Sequence, residues 1–596
     1  MDLFPKVFRT EGDLVEFDSS RILDSLIKET GMSEANANKI TELVARRIIS
    51  SGIRFLSGPH IREIVCSILS EQHFENERKL YTRIGMPLMD YEEILEKEVR
   101  EFPKRMINPE KIHNWAANQI SEEYAHLRIL SSEESKAHLY GTIHIHKLRY
   151  FDLRPLTQIW DPRVILELGL PPINNFIPGY KLKPAKTLNQ AINHLVKWLS
   201  YTQNEFCGNQ GYSYLTLFLA PYVKNLNQYD MIQAIRTLIY ELNHLSAMTG
   251  CTISSSSFIS CPSVCDSFLK FPISGISYRE YNEEILKLFN TITNVFKKGD
   301  DYKNPFKSPK HEILINKALV TDFNDAFLNV WEEIDTMNTP VLINLNSDSL
   351  YQTSIESTSS TDYINYGILQ ELCMNLPRYA YIGKDEDSFF EIVRENMDLS
   401  SQILLKKYKI IEKRLKSKHL PICSGIINDK PLFNLENQHL SISFVGLNEA
   451  VRYLTDFELH EHITAFNFGK KVLKIMNKIC LEFSEIYNIS LILSENMSKK
   501  APLRFAKLDL KHFSKMAIPH SSRENFYYSN SIHFKKDAEI DLIERIKKQE
   551  EYQSFIQYGA VEHVSLNELN RSNLDLADFI NTIFIPSKLV SLKFYS

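Results

Sequence analysis

Eight cysteines scattered through 596 residues are too few for a disulfide framework. No C-x-x-C occurs, and the tightest spacing, Cys261 to Cys265, excludes the usual thiolate zinc ribbon and the thioredoxin-type motif. No apolar run approaches the roughly 18 residues of a membrane span. The opening MDLFPKVFRTEGD also lacks the apolar core of a signal peptide. These absences predict a cytoplasmic protein in a reducing compartment with no membrane partner. Positive charge is not in excess either: 69 Lys and Arg against 74 Asp and Glu leave a net charge of -5, so no nucleic-acid partner is expected. No internal repeat breaks the chain into equivalent pieces.

What is present is apolar and aromatic matter enough for a sizeable core, 43% and 11% of the residues. The length exceeds one ordinary domain, although a large α/β barrel can absorb most of it. Residues 1–95 read as a small α+β unit. KVFRTEGDLVEFD has the pattern of a hairpin with its turn at Glu11-Gly12-Asp13. Asp18 or Ser19 then caps a helix bearing Ile22, Leu23, Leu26 and Ile27 and ending at Gly31. Further helices start near Ser33 and Pro59, so two short strands and a helical bundle are expected. The charged residues 96–107 read as a connector. From 108 to 596, helical segments (110–124, 187–204, 228–247, 386–415, 464–487) alternate with short apolar runs such as TIHIH, PVLINL, LSISFVGL and ISLILS. That alternation predicts strands wrapped by helices. The Ser/Thr-rich stretch at 353–362 reads as a loop.

Three features invite chemistry. In GTIHIHKLRYFDLRPLTQIW, residues 141–160, a strand would point His144 and His146 to one face, and with Asp152 nearby this pattern suits zinc or iron. Met497-Ser498-Lys499-Lys500 places two lysines where they could hold phosphates, or simply form a solvated turn. Cys207 and Cys373 are either redox thiols or small buried hydrophobes.

The first 95 residues resemble the ATP-cone, a nucleotide-sensing domain, on Val7, Arg9, Thr10, Gly12, Phe17, Asp18, Arg21 and Ile22. A glycine turn and basic side chains at a helix start suit triphosphate oxygens. The resemblance implies ATP or dATP as effector, bound around Val7, Arg9, Thr10, Glu11, Gly12 and Arg21, with Thr10 standing where the family has arginine. The remainder resembles the anaerobic, glycyl-radical (class III) ribonucleoside-triphosphate reductases. The resemblance rests on NPEKIHNW, GTIHIHKL, PAKTL, GNQGYSYLTLFLAPYV, FKKGDDYKNPF, NLPRYAY, FVGLNEAVRYLT, ELHE, RFAKLDLKH, YYSNSIHF and YGAVEH. It implies a ten-stranded α/β barrel of two parallel half-barrels around a finger loop. It also makes the His144–His146 strand barrel wall, so that no metal is expected, with Lys147 in place of the family's aspartate.

Family chemistry passes a radical from a C-terminal glycine to a finger-loop cysteine, while a second cysteine on an early strand helps to reduce the ribose. By resemblance these two cysteines fall on Tyr351 and Gln158, and no glycine follows Gly559. The expected catalytic set is therefore empty. His144, His146, Asn448, Glu449, Ser498, Lys499 and Lys500 remain as the candidate substrate pocket. The favoured expectation is an inactive, nucleotide-binding paralogue that regulates or scaffolds deoxynucleotide synthesis, as a homodimer or in a complex with an active reductase or a separate glycyl-radical protein. The alternatives are a working subunit whose glycyl radical comes from a separate polypeptide, and a different nucleotide-directed enzyme on the same barrel.

Overall fold

A computed structural model describes residues 6–8, 14–53, 55–85, 89, 91–92, 95, 109–171, 181–247, 256–264, 277–335, 340–347, 363–427, 429–521, 525–535, 538–572 and 575–595. They fall into two compact units, Met1–Ser135 and Lys136–Ser596. In the first, β1 (Lys6–Phe8) pairs antiparallel with β2 (Leu14–Glu16), as the hairpin pattern predicts, while the turn itself lies outside the described residues. A third strand, β3 (Phe55–Ser57), lies parallel to β1 and was not expected. Three residues are too few to show a period of two, so only long-range pairing reveals it. Helices Ser20–Thr30, Glu34–Ser51 and Gly58–Glu71 begin where expected, although Ser19 makes no side-chain capping bond, and the first ends at Gly31 as expected. Gly31 takes the left-handed φ of 70° that closes the first, and Ser33 caps the second by accepting from the Asn36 amide. Ile22, Leu26, Ile40, Val44, Val65 and Leu69 form the core, and Ile27 lies outside it, at the surface. This compact unit continues past residue 95 to include helix Pro109–Tyr124.

The second unit is built on one large sheet. In chain order its strands are β4 (Ile143–Ile145), β5 (Thr157–Trp160), β6 (Gln210–Tyr212), β7 (Ser256–Ser260), β8 (Lys310–Ile315), β9 (Val341–Asn344) and β10 (Tyr366–Asn375). After two-residue strands β11 (Ile426–Ile427) and β12 (Lys430–Pro431) come β13 (Gln438–Val445) and β14 (Leu491–Leu493). Two more short strands, β15 (His520–Ser521) and β16 (Phe526–Tyr527), precede β17 (Val561–Ser565) and β18 (Ser591–Tyr595). The path β14-β13-β10-β5-β6-β7-β8-β9-β18-β17 contains ten strands. β5 to β9 run parallel, as do β10, β13 and β14, and β17 with β18; the halves meet antiparallel at β5–β10 and at β9–β18. The path's two ends are tied by hydrogen bonds from Gln557 N to Leu493 O (3.1 Å) and from Val561 N to Glu495 Oε2 (2.9 Å). This is the mixed α/β architecture that the alternation of helical and apolar segments predicts, in the ten-stranded, barrel-type order that the resemblance implies.

The helices predicted at 187–204, 228–247, 386–415 and 464–487 appear as Leu188–Thr202, Gln228–Ala247, Glu386–Lys416 and Ile463–Tyr487. They cover one face of the sheet. Trp160 stacks edge-on against Trp198 at 5.3 Å, and His311 of β8 stacks on Phe296 at 4.8 Å while its Nδ1 meets Glu333 Oε1 at 3.2 Å. Because side chains alternate along a strand, these contacts also identify the opposite, inner face. Among the described residues no helix is long and apolar enough to cross a membrane.

Candidate functional site

Register decides which side chains reach the inner face. Gln158 pairs with Gln210 and shares its side of β5 with Trp160, so it points with Trp160 toward the helices. The inner positions of β5 are Thr157 and Ile159, and neither carries sulfur. Tyr351 lies outside the described residues, and no cysteine stands between Cys265 and Cys373. Of the two remaining thiols weighed above, Cys207 is fully buried and turned onto Pro155 O at 3.4 Å. Cys373 is on the inner face of β10 but sits under Tyr381, Phe505, Ala506 and Tyr528. Burial drives both thiols upward in pKa, and for Cys373 the neighbouring Glu371 carboxylate adds to it. A thiol held protonated and covered is a poor nucleophile.

β4 pairs antiparallel with the end of β10, placing His144 opposite Cys373. His144 and His146 do share a face, with ring centroids 6.3 Å apart, and His144 packs edge-on against Phe505. Burial, followed by the charges of Arg504, His146 and Lys500, pushes His144 down to about 3. Burial with Lys147, Arg149 and Lys500 pushes His146 down to about 4. Both are neutral at physiological pH. Lys147 itself donates to Cys207 O.

The turn 496–499 comes beside them. Asn496 cradles Ser498, accepting from its amide at 3.1 Å, and Ser498 Oγ accepts from Lys500 N at 3.3 Å. Lys500 is not in a turn but opens helix Lys500–His512; Lys499 and Lys500 are exposed. Met497 N donates to Glu371 Oε1 at 3.1 Å, and Ser443 Oγ donates to the same oxygen at 2.7 Å. Among the described residues Glu371 Oε2 has no hydrogen-bond partner, and burial pushes the carboxyl up to about 7. This inner-face acid was missed at the sequence level. Its one signal was a lone charge between Leu369 and Leu372 in an otherwise apolar run.

Asn448 and Glu449 stand in the first turn of helix Leu447–Thr455, which follows β13 through Gly446. At φ 74° a Cβ there would lie 2.2 Å from Pro377 Cγ, so only glycine fits. Both side chains are engaged by the protein. Asn448 Oδ1 accepts from Leu459 N at 3.0 Å, and Glu449 accepts from Ser529 N (2.7 Å) and Oγ (2.6 Å) with His520 Nε2 3.0 Å away. Histidines, Glu371 and the Ser498–Lys500 segment are thus gathered, whereas Asn448 and Glu449 brace the neighbouring loop. In the first unit, Val7 is in the middle of β1 and Arg21 is exposed beside Asp18 at 3.7 Å. Arg9, Thr10, Glu11 and Gly12 lie outside the described residues, so of the expected nucleotide-binding set only Val7 and Arg21 are described.

The ten-stranded order of the sheet is the setting in which the comparisons with known proteins can be read. The model of one family, the anaerobic ribonucleoside-triphosphate reductases, matches residues 104–594, and the chain belongs to that family. Its relatives include the anaerobic ribonucleoside-triphosphate reductase of Enterobacteria phage T4, 21% identical over 490 residues, covering 73% of this chain and 76% of that protein. The Escherichia coli K12 enzyme of the same name is 20% identical over 650 residues, covering 94% and 86%. Among solved structures, the anaerobic ribonucleotide reductase of Thermotoga maritima with glycerol in the active site superposes with a TM-score of 0.70 at 18% identity, covering 85% of each chain. The same enzyme with dATP bound in the specificity site gives 0.67 at 18% identity, covering 85% of this chain and 87% of that one.

Proposed function

We infer that this chain is a nucleotide-binding member of the family that does not by itself reduce ribonucleotides, and that it regulates or scaffolds deoxynucleotide synthesis. The observation that carries this reading is the inner face of β5: Thr157 and Ile159 stand where a reducing sulfur is needed, and Gln158 points away. A hydroxyl or an alkyl group cannot supply a reversible hydrogen-atom donor, and preorganisation only lowers the barrier of a step that exists. Cys207 and Cys373 keep the S–H bond that such a step uses, but Cys207 is turned onto Pro155 O and Cys373 is covered by Tyr381, Phe505 and Tyr528, so neither is open to a substrate.

Nucleotide binding is supported by the dATP bound in a Thermotoga maritima relative and by the basic Arg9 and Arg21. In the second unit, the exposed Lys499 and Lys500 would take phosphate oxygens as point charges, beside the buried Ser498 hydroxyl. Pairing into a homodimer through the region of helix Gln228–Ala247 completes the reading. The test is anaerobic incubation with ribonucleoside triphosphates, formate or a thiol reductant, and a radical-activating enzyme, read as deoxynucleotide formation and as a protein-radical resonance. No turnover is expected. Turnover lost on Cys207→Ser or Cys373→Ser would reveal a relocated thiol, and turnover surviving both changes would overturn the reading. Turnover that appears only with a separate glycyl-radical polypeptide would favour the split enzyme.

A further inference from the structure

Helix Leu447–Thr455 ends at Asp456, and the chain turns through Glu458–Glu461 before helix Ile463–Tyr487. In that turn, carboxylate oxygens of Glu458 and Glu461 and a ring nitrogen of His460 lie within 4.8 Å of one another. Metal–ligand bonds of about 2.0–2.2 Å place neighbouring donors roughly 3–4 Å apart, so small side-chain movements bring all three onto one ion. A second observation singles the place out. The His460 side chain is only 8% exposed, and its Nδ1 is buried without a hydrogen-bond partner among the described residues, 3.7 Å from Glu458 Oε2.

The surrounding contacts leave one oxygen of each carboxylate available. Arg452 Nη1 occupies Glu458 Oε1 at 3.2 Å, and Glu461 Oε2 accepts from Glu458 N at 2.7 Å. Lys548 spends its ammonium on His460 O at 2.9 Å and Glu544 at 2.8 Å. Glu458 also acts electrostatically on His520, which pairs with Glu449 at 3.0 Å.

We propose that Glu458, His460 and Glu461 bind a divalent transition-metal ion, with water completing the coordination. One imidazole and two carboxylates form a donor set for the borderline Zn²⁺ or the harder Mn²⁺ rather than for an ion that demands thiolates. The site is separate from His144 and His146 and independent of whether the chain turns over. Its consequence is local: Leu459 N, inside the turn, donates to Asn448, so a bound ion stiffens the segment that orients the helix bearing Asn448 and Glu449.

The experiment uses the full chain, stripped with a chelator and titrated with Zn²⁺ and separately Mn²⁺ by calorimetry, with Co²⁺ absorption as a report on nitrogen ligation. One ion per chain is expected, weakened about tenfold or more by Glu461→Gln and by His460→Ala. The Co²⁺ spectrum of the His460→Ala chain should lose its nitrogen contribution. Glu461 is exposed, so its variant keeps the fold and decides the matter if His460→Ala does not fold. Absence of binding, or binding equal in wild type and Glu461→Gln, would leave His460 and Glu458 as a simple ion pair and overturn the proposal.

Discussion

Asp509→Asn is expected to loosen the second unit by an amount the structure lets us work out. Asp509 is fully buried on helix Lys500–His512 and accepts from Arg378 Nε (2.6 Å), Asn375 Nδ2 (3.0 Å) and Tyr528 Oη (3.0 Å). It therefore pins the lysine-bearing helix to the end of β10. The amide keeps the shape but removes the charge, leaving a guanidinium that is 4% exposed without its counter-ion and turning an NH2 toward donors. Breaking a buried pair from one side costs about 3–5 kcal/mol. At an unfolding entropy of about 2.1 cal/mol/K per residue, a unit of this size loses about 1 °C per kcal/mol, so its Tm should fall by about 3–5 °C in a calorimetric scan. Burial holds the Asp509 carboxyl above its usual range even though Arg378 opposes this, so the pair gains little over its desolvation. Replacing both partners, Arg378→Met with Asp509→Leu, should then cost less than Asp509→Asn alone, about 1–3 kcal/mol, chiefly for Tyr528 and Asn375 left short of an acceptor. A drop under about 1 kcal/mol for Asp509→Asn, or a double variant worse than the sum of the singles, would refute the reasoning.

The other expectations concern pH, effector and assembly. Glu371 is raised by burial to about 7, so its contribution favours the fold at acid pH and is lost as pH rises through 7; Glu371→Gln should flatten the denaturation midpoint between about pH 4.5 and 7.5 and raise stability above it. His520 is raised by the Glu449 carboxylate against burial, so that pairing contributes fully below about pH 6.5 and fades as pH climbs through the raised value. His520→Asn should remove that slope, and an unchanged slope would assign it elsewhere. Calorimetry with ATP and dATP should show binding that Arg9→Ala with Arg21→Ala weakens; no binding of either nucleotide at millimolar concentration would end the effector reading. Light scattering should give twice the 69.3 kDa chain mass, and a monomer indifferent to nucleotide would exclude the proposed pairing.

Much of the architecture was local enough to be legible in the chain itself. Ser33, Gly31 and the 3.6-residue spacing of Ile22 and Leu26 specify their helices without reference to anything distant. The short apolar runs between long amphipathic helices likewise specify a wrapped α/β sheet, and the motifs strung along the barrel identify its family. The residue types that the fold gathers there, His144, His146, Ser498, Lys499 and Lys500, were legible too. What a linear pattern cannot carry is direction and partnership. Gln158 and Thr157 are neighbours in sequence, yet only the register with β6 and β10 sends one to the helices and the other inward, because one residue of slip exchanges the two faces of a strand. Glu371 looked like an interruption of an apolar strand until Ser443 and the Met497 amide, 72 and 126 residues further on, were brought to the same oxygen. Asn448 and Glu449 looked available for substrate, and tertiary contacts with Leu459 and Ser529 engaged them instead. β3, three residues long, exists only because β1 lies beside it. Sequence determined the elements and the chemistry on offer; packing decided which of those groups face one another, since burial and hydrogen bonding are properties of the folded neighbourhood rather than of the residue.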